Sequence, residues 1–253
     1  MKLRSTLLSL GLLAAGMVIT PVCFGVSQEV TRTYPMRADG IFELNNVNGT
    51  VRIEGWDKNE VEVRAIKSTP EDESVLDLVA IEVAATPNSL SVSTRYPQEQ
   101  GVEVAVDYVV YLPRHAQVSR VNNINGPVRV FSSESLGELH TVNGNIEIYE
   151  SSGDVHAHTI NGNVYLELKH ANDAKGASVE TTNGSVLLAI PQDLPAELEA
   201  RCMNGRFSSD LPMVMKGEAL PRTVHGERGH GGAPIHLGTV NGTIRVVALR
   251  STV

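Results

Sequence analysis

Apolar and polar positions alternate along most of this chain in short runs, and the runs are punctuated at one recurring point, an Asn-Gly dipeptide in a fixed apolar frame. The unit first reads Val47-Asn48-Gly49-Thr50-Val51-Arg52-Ile53. It returns as Ile124-Asn125-Gly126-Pro127-Val128-Arg129-Val130, as Val142-Asn143-Gly144-Asn145-Ile146-Glu147-Ile148 and as Ile160-Asn161-Gly162-Asn163-Val164-Tyr165-Leu166. Thr182-Asn183-Gly184-Ser185-Val186-Leu187-Leu188 follows, then a degraded copy at Met203-Asn204-Gly205-Arg206-Phe207, and Val240-Asn241-Gly242-Thr243-Ile244-Arg245-Val246 closes the set. Alternation of period two marks strands with one buried face, and the dipeptide marks where the chain turns.

Two architectures share this signature. Asn-Gly between alternating runs is the strongest short-range signal for a hairpin. A second punctuation point, a Gly or small polar cluster at Gly137, Gly153, Gly176 and Gly238, precedes each incoming strand. Two short strands and two corners in a unit of 18 residues, the first two intervals from Asn125, make one coil of a solenoid. The expected fold is therefore all-β, a single-stranded β-solenoid (β-helix) with an irregular N-terminal β cap layer; a hairpin-based sandwich is the alternative.

The register sharpens the expectation. Val128/Val130, Ile146/Ile148, Val164/Leu166 and Val186/Leu188 should point inward after each corner. Before each corner, Val121, Leu139, Ala157, Val179 and Ala200 should point inward, as should Ile124, Val142, Ile160, Thr182 and Met203 next to the Asn. The corner itself is expected to need the left-handed backbone that Asn and Gly tolerate. Stacked Asn side chains could bond along the axis.

Departures from the period read as loops at Lys169–Lys175, Gln192–Glu197 and, longest, Ser208–Pro234. The stretch before the regular coils reads as strands near Phe42–Asn46, Val61–Lys67, Val79–Ala84, Leu90–Thr94 and Val102–Leu112. The expected organisation is a signal peptide at 1–25, an N-terminal β cap at 26–112 and the repeat solenoid at 113–253 with a long loop near 208–234. Lys2 and Arg4 before the apolar Leu7–Val22 stretch, with small residues after it, carry the signal-peptide reading. Export to the periplasm, cell surface or medium follows, with no stable membrane insertion after cleavage.

Composition changes this picture little. Aromatic residues are 4% of the chain against 42% hydrophobic, so small branched side chains must build the core. The formal net charge is −8, and no basic run interrupts it, which argues against nucleic acid as a partner. Loss of Cys23 with the signal leaves Cys202 alone, so no internal disulfide is expected.

The run Leu44-Asn45-Asn46-Val47-Asn48-Gly49-Thr50-Val51-Arg52-Ile53-Glu54-Gly55-Trp56-Asp57 resembles the bacterial putative-adhesin β-strand-repeat family, an exported family of unknown function. Glu60-Val61-Glu62-Val63, Val106-Asp107-Tyr108-Val109-Val110-Tyr111-Leu112-Pro113 and the Asn-Gly coils extend the resemblance over nearly all of the mature chain. It implies a fold and an envelope address. It carries no catalytic residues.

Candidate chemistry is sparse. His140 and His158 each lie three residues before their Asn, so adjacent coils should stack them, with His156 on the same outward face and Asn122 and Glu180 in the same column. Such a group could hold zinc or copper, whereas a solvated polar column is the plainer reading, and no cofactor is expected. Arg222, His225, Arg228 and His230 lie in or beside the Gly-rich part of the long loop and are the candidate binding residues. The acidic side chains of the coils are scattered, so the paired carboxylates of a glycoside hydrolase are missing. The expected function is a non-enzymatic envelope protein contacting an envelope protein or a glycan; the alternative is a carbohydrate-active β-helix enzyme.

Overall fold

The computed structural model describes residues 25–98, 101–152, 154–169, 176–215, 222–229 and 231–249. Residues 1–24 of the expected signal segment, Gly153 and His230 lie outside these. The described chain is all-β apart from one 3-10 turn at Glu73–Leu78.

The strands lie in two ladders. The first runs β5 (Ala80–Thr86), β6 (Ser89–Arg95), β2 (Ile41–Asn45), β8 (Gln117–Asn125), β10 (Ser135–Asn143), β12 (Val155–Asn161) and β14 (Ala177–Asn183). It continues through the first half of β19 (Ala233–Ala248), the first half of β16 (Ala196–Ser209), β18 (Thr223–Arg228) and β17 (Val214–Met215). The second ladder runs β1 (Val26–Pro35), β4 (Glu60–Thr69), β7 (Ala105–Pro113), β3 (Val51–Trp56), β9 (Val128–Phe131), β11 (Ile146–Ser151), β13 (Val164–Leu168) and β15 (Val186–Ile190). The second halves of β19 and β16 complete it. From β2 and β3 through β14 and β15 the neighbours are parallel, so the chain climbs one ladder step per coil.

The uniform single-stranded solenoid expected from the repeat is not the whole architecture. Antiparallel pairs close both ends, β1–β4–β7 and β5–β6 at one and β16–β18–β17 at the other, and the nineteen strands of the described residues join one continuous hydrogen-bonded sheet. A coil end left bare would expose the core and a row of unpaired backbone groups. The long Ser208–Pro234 loop is also partly strand, since β17 and β18 lie within it.

Stacking order departs from chain order at both ends. β2 and β3 lie between β6/β7 and β8/β9, and β19 lies between β14/β15 and β16. The first and last copies of the repeat are thus flanked on both sides. The asparagines order themselves 48, 125, 143, 161, 183, 241, 204 along the axis, and each after Asn48 donates its side-chain amide to the side-chain oxygen of the one before it at 2.8–2.9 Å.

Inward columns form one contiguous core. Val128, Val130, Ile146, Ile148, Val164, Leu166, Val186 and Leu188 are buried as the alternation requires, and so are Val121, Leu139, Ala157, Val179 and Ala200. The residues next to the Asn are not. Ile124 and Met203 are exposed, and Val142, Ile160 and Thr182 are half-buried. Strict alternation persists to the corner instead, and the second inward position is Thr141, Thr159, Thr181 or Thr239. A buried hydroxyl needs a partner. Each finds one in the glycine carbonyl of the adjacent coil, Thr141 to Gly126, Thr159 to Gly144, Thr181 to Gly162 and Thr239 to Gly184, at 2.8–3.1 Å. Cys202 takes the equivalent place beside Thr239 and is buried.

The corner glycines also serve a different purpose from the one expected. Only Gly49 and Gly126 among the Asn-Gly copies have left-handed φ, and none of the corner asparagines does. At Gly144, Gly162, Gly184 and Gly242 a Cβ would collide with the glycine carbonyl of the adjacent coil. Close backbone approach demands glycine there, more than unusual torsion does.

Candidate functional site

The outward face of the first ladder gathers five histidines from four strands, β10, β12, β19 and β18. Its parallel register fixes one row as Arg120, Glu138, His156, Ser178, His236, Glu199 and, across an antiparallel pair, His225. The next row, two residues on, is Asn45, Asn122, His140, His158 and Glu180. Residues two apart share a strand face, so the two rows form one surface. Five of the chain's eight histidines lie on it. His156, His225 and His236 are exposed, and His140 and His158 are half-buried.

His140 and His158 meet directly. Their Nδ1 atoms are 3.1 Å apart and their ring centroids 5.1 Å apart, so the rings lean together on their Nδ1 edges. Burial, with a smaller contribution from the neighbouring His158 charge, lowers the His140 pKa below its ordinary value. Asn122, Glu138, His156 and Glu180 rim the shallow depression around this pair. Asn122 stacks in the same column by donating to Asn45 at 2.8 Å.

A second depression lies at the β16–β18–β19 end, lined by Glu197, Glu199, His225 and His236. The His236 Nδ1 lies 3.3 Å from a Glu199 carboxylate oxygen. Of the expected loop residues, His225 and Arg228 belong to β18, where Arg228 donates to the Pro212 carbonyl at 3.1 Å. Arg222 is exposed, and its carbonyl accepts from the Cys202 amide. The loop candidates are therefore not gathered on one mobile excursion; His225 joins the histidine face and Arg228 braces the hairpin. His236 and Glu199 join by register, and the 37-residue interval hid this because β19 stacks out of chain order. Among the described residues, no group of three or more His, Cys, Asp or Glu is arranged to enclose a metal.

The opposite outward face, on the second ladder, carries five of the eleven aromatic residues of the chain. Phe131 and Tyr149 stack with centroids 4.9 Å apart and planes 5° apart, and Tyr149 packs on Tyr165 at 4.9 Å. The Arg52 guanidinium covers the Phe131 ring at 4.2 Å. Trp56 lies between Tyr111, 5.4 Å away, and the Lys58 ammonium at 4.2 Å. Sugar recognition by aromatic stacking needs free ring faces. Here neighbours occupy the faces of Phe131, Tyr149 and Trp56, so this stack braces the ladder. Arg129 and Glu147 pair at 3.0 Å in the adjoining column.

A curled all-β scaffold with polar, column-ordered faces defines a class of β-repeat proteins. The chain belongs to the Toastrack DUF4097 family, whose model matches residues 16–247. Among solved structures it is similar to a putative cell adhesion protein from Clostridium sporogenes, at 12% identity and a TM-score of 0.56, over 88% of this chain and 100% of that one. A putative adhesin from Bacteroides fragilis aligns at 12% identity and a TM-score of 0.42, over 88% of this chain and 97% of that one. A putative lipid binding protein from Parabacteroides distasonis aligns at 14% identity and a TM-score of 0.31, over 88% and 97%. No curated protein matches. Among the described residues no helix is long and apolar enough to cross a membrane.

Proposed function

We propose that this protein is a non-enzymatic, exported envelope module that binds a protein partner through the histidine and carboxylate face of the first ladder. Residues 1–25 act as its signal peptide, and its parallel coils serve as a single-stranded β-solenoid scaffold. The observation that carries the reading is the concentration of His140, His156, His158, His225 and His236 with Glu138, Glu180 and Glu199 in two adjacent rows on one sheet face. Side chains held on a rigid ladder keep their spacing, so little ordering is lost when a complementary surface docks.

A protein partner is favoured over a glycan because the aromatic rings stack on one another and on cations. The carbohydrate-active enzyme reading finds less support. Glu138, Glu147 and Glu150 lie within ion-pair distance of Arg120, Arg129 and Lys169, so each already has a cationic partner and no two of them stand together as a free carboxylate pair.

The test is affinity capture from envelope extract by the mature protein and by a variant with His156, His225 and His236 changed to Asn. A partner retained by the wild type and lost by the variant supports the face. Capture unchanged by the variant, or glycan-array binding competed by no protein, counts against it. N-terminal sequencing of the exported protein tests cleavage after Gly25.

A further inference from the structure

We infer that the slot between the terminal strands of the two ladders, at the N-terminal end of the stack, binds a medium-chain fatty acid with its carboxylate on Lys67. β5 ends the first ladder and β1 ends the second, and the two do not pair with each other. Between them lies a cavity of about 180 Å³. Val63 and Ala65 of β4 form its floor, Val30 of β1 one wall, and Ile81 and Val83 of β5 the other. An apolar cavity of about 150 Å³ is enough to hold benzene, so this one takes much of an alkyl chain. The floor from Val63 to Lys67 covers four residues, about 13 Å at the rise of a strand, which suits an extended chain better than a ring.

The charges of the lining choose the head group. Residues 25–115 hold eight Lys and Arg. Arg37, Arg52, Lys58, Arg64, Arg95 and Arg114 each lie within ion-pair distance of a carboxylate. The remaining two, Arg32 and Lys67, have no carboxylate partner among the described residues, and both line this cavity. Lys67 stands on the inward face of β4 and is only 9% exposed. Its ammonium donates to the Leu76 carbonyl at 3.1 Å, which leaves two N–H groups without an acceptor among the described residues. A buried cation without a counter-charge is costly, and a carboxylate entering the slot supplies both the charge and the acceptors. Arg32, set beside Val63 at the other end of the floor, is exposed and draws anions to the mouth.

The isolated mature protein tests this independently of the partner reading. Calorimetric titration with sodium decanoate at pH 7.5 is expected to show one equivalent bound with a Kd below about 1 mM. Lys67→Met, which keeps the apolar stem, is expected to weaken binding about 10-fold or more, the worth of a charge-assisted hydrogen bond. Arg32→Gln should cost less, because an exposed charge is screened. Val83→Trp fills the slot from an edge strand and should abolish uptake. Circular dichroism checks that the variants fold. Acetate and decyltrimethylammonium should not bind. Absence of decanoate binding by the wild type overturns the site, as does affinity unchanged in Lys67→Met. Acetate binding as tightly as decanoate overturns the role of the alkyl chain, and equal binding of decyltrimethylammonium overturns that of the cation. A larger loss in Arg32→Gln than in Lys67→Met overturns the placing of the carboxylate. Sedimentation with anionic phospholipid vesicles, without uptake of free decanoate, overturns the fatty acid in favour of a membrane surface.

Discussion

The side-chain amide of Asn241 donates to the Asn183 side-chain oxygen at 2.8 Å, across 58 residues of sequence. That bond exists because β19 slides between β14 and β16 instead of adding to the end of the stack. One asparagine column thus records the path of the whole chain.

The column should be a measurable source of stability. Asn161 donates to Asn143 and accepts from Asn183, each at 2.9 Å. Asn161→Ala removes both bonds from an exposed position, so a loss of about 1–2 kcal/mol is expected. In a chain of this size that corresponds to roughly 2–8 °C in melting temperature. Thermal unfolding followed by circular dichroism checks it.

Glycine at the corners should be far less replaceable than Asn. A Cβ at Gly162 would collide with the rigid backbone carbonyl of Gly144, whereas at Gly226 it would meet the flexible Met213 Cε at 3.1 Å. Gly162→Ala is expected to cost more than about 4 kcal/mol and to abolish soluble yield. Gly226→Ala should stay within about 1 kcal/mol, because Met213 can move. Side-by-side expression and melting of the two variants decides whether close approach sets the glycine requirement.

The aromatic stack should be worth more than its exposure suggests. Tyr149 lies between Phe131 and Tyr165, so Tyr149→Ala breaks two ring contacts, expected to cost about 1–3 kcal/mol. Its hydroxyl is 3.4 Å from Glu147, too long for a strong bond, so Tyr149→Phe should be nearly neutral. Denaturant unfolding of both variants separates ring from hydroxyl.

Acid should act through His140. Burial first, and then His158, lowers its folded pKa below the ordinary value of 6.5, so the unfolded chain takes up the proton more readily. The resulting stability is present above pH 6.5 and is lost as pH falls through the folded value. His140→Asn is expected to flatten the dependence of melting temperature on pH between about 7.5 and 5. An NMR titration should place His140 below 6.5 and show a rise on His158→Asn.

Removal of the last strand should damage more than the end of the molecule. β19 forms ladders with β14 and β15 on one side and β16 on the other. Truncation after residue 232 therefore strips two faces of backbone bonds and leaves Thr181 and Leu188 beside a gap. Insoluble or protease-sensitive product is expected. A fully folded truncation would contradict the intercalated order.

What the sequence determined by itself was the strand content and the coil-to-coil register. Inward positions are legible because period two leaves only one face for apolar side chains: Ile146 and Ile148 must point in once Glu147 points out. The meeting of His140 and His158 followed from the equal interval of 18 residues between their coils. The sequence misled where a polar side chain does an apolar side chain's job. Thr141 is buried because the Gly126 carbonyl satisfies it, and no local pattern announces a partner one coil away. Only tertiary structure decided the stacking order at the two ends. Long-range pairing such as Asn48 with Asn125, or Glu199 with His236, depends on which free sheet edge a strand can reach. Asn-Gly copies are alike enough to fit beside one another in several orders. The antiparallel strands at each end, by covering the edges the coils leave open, leave those repeats only one place to go.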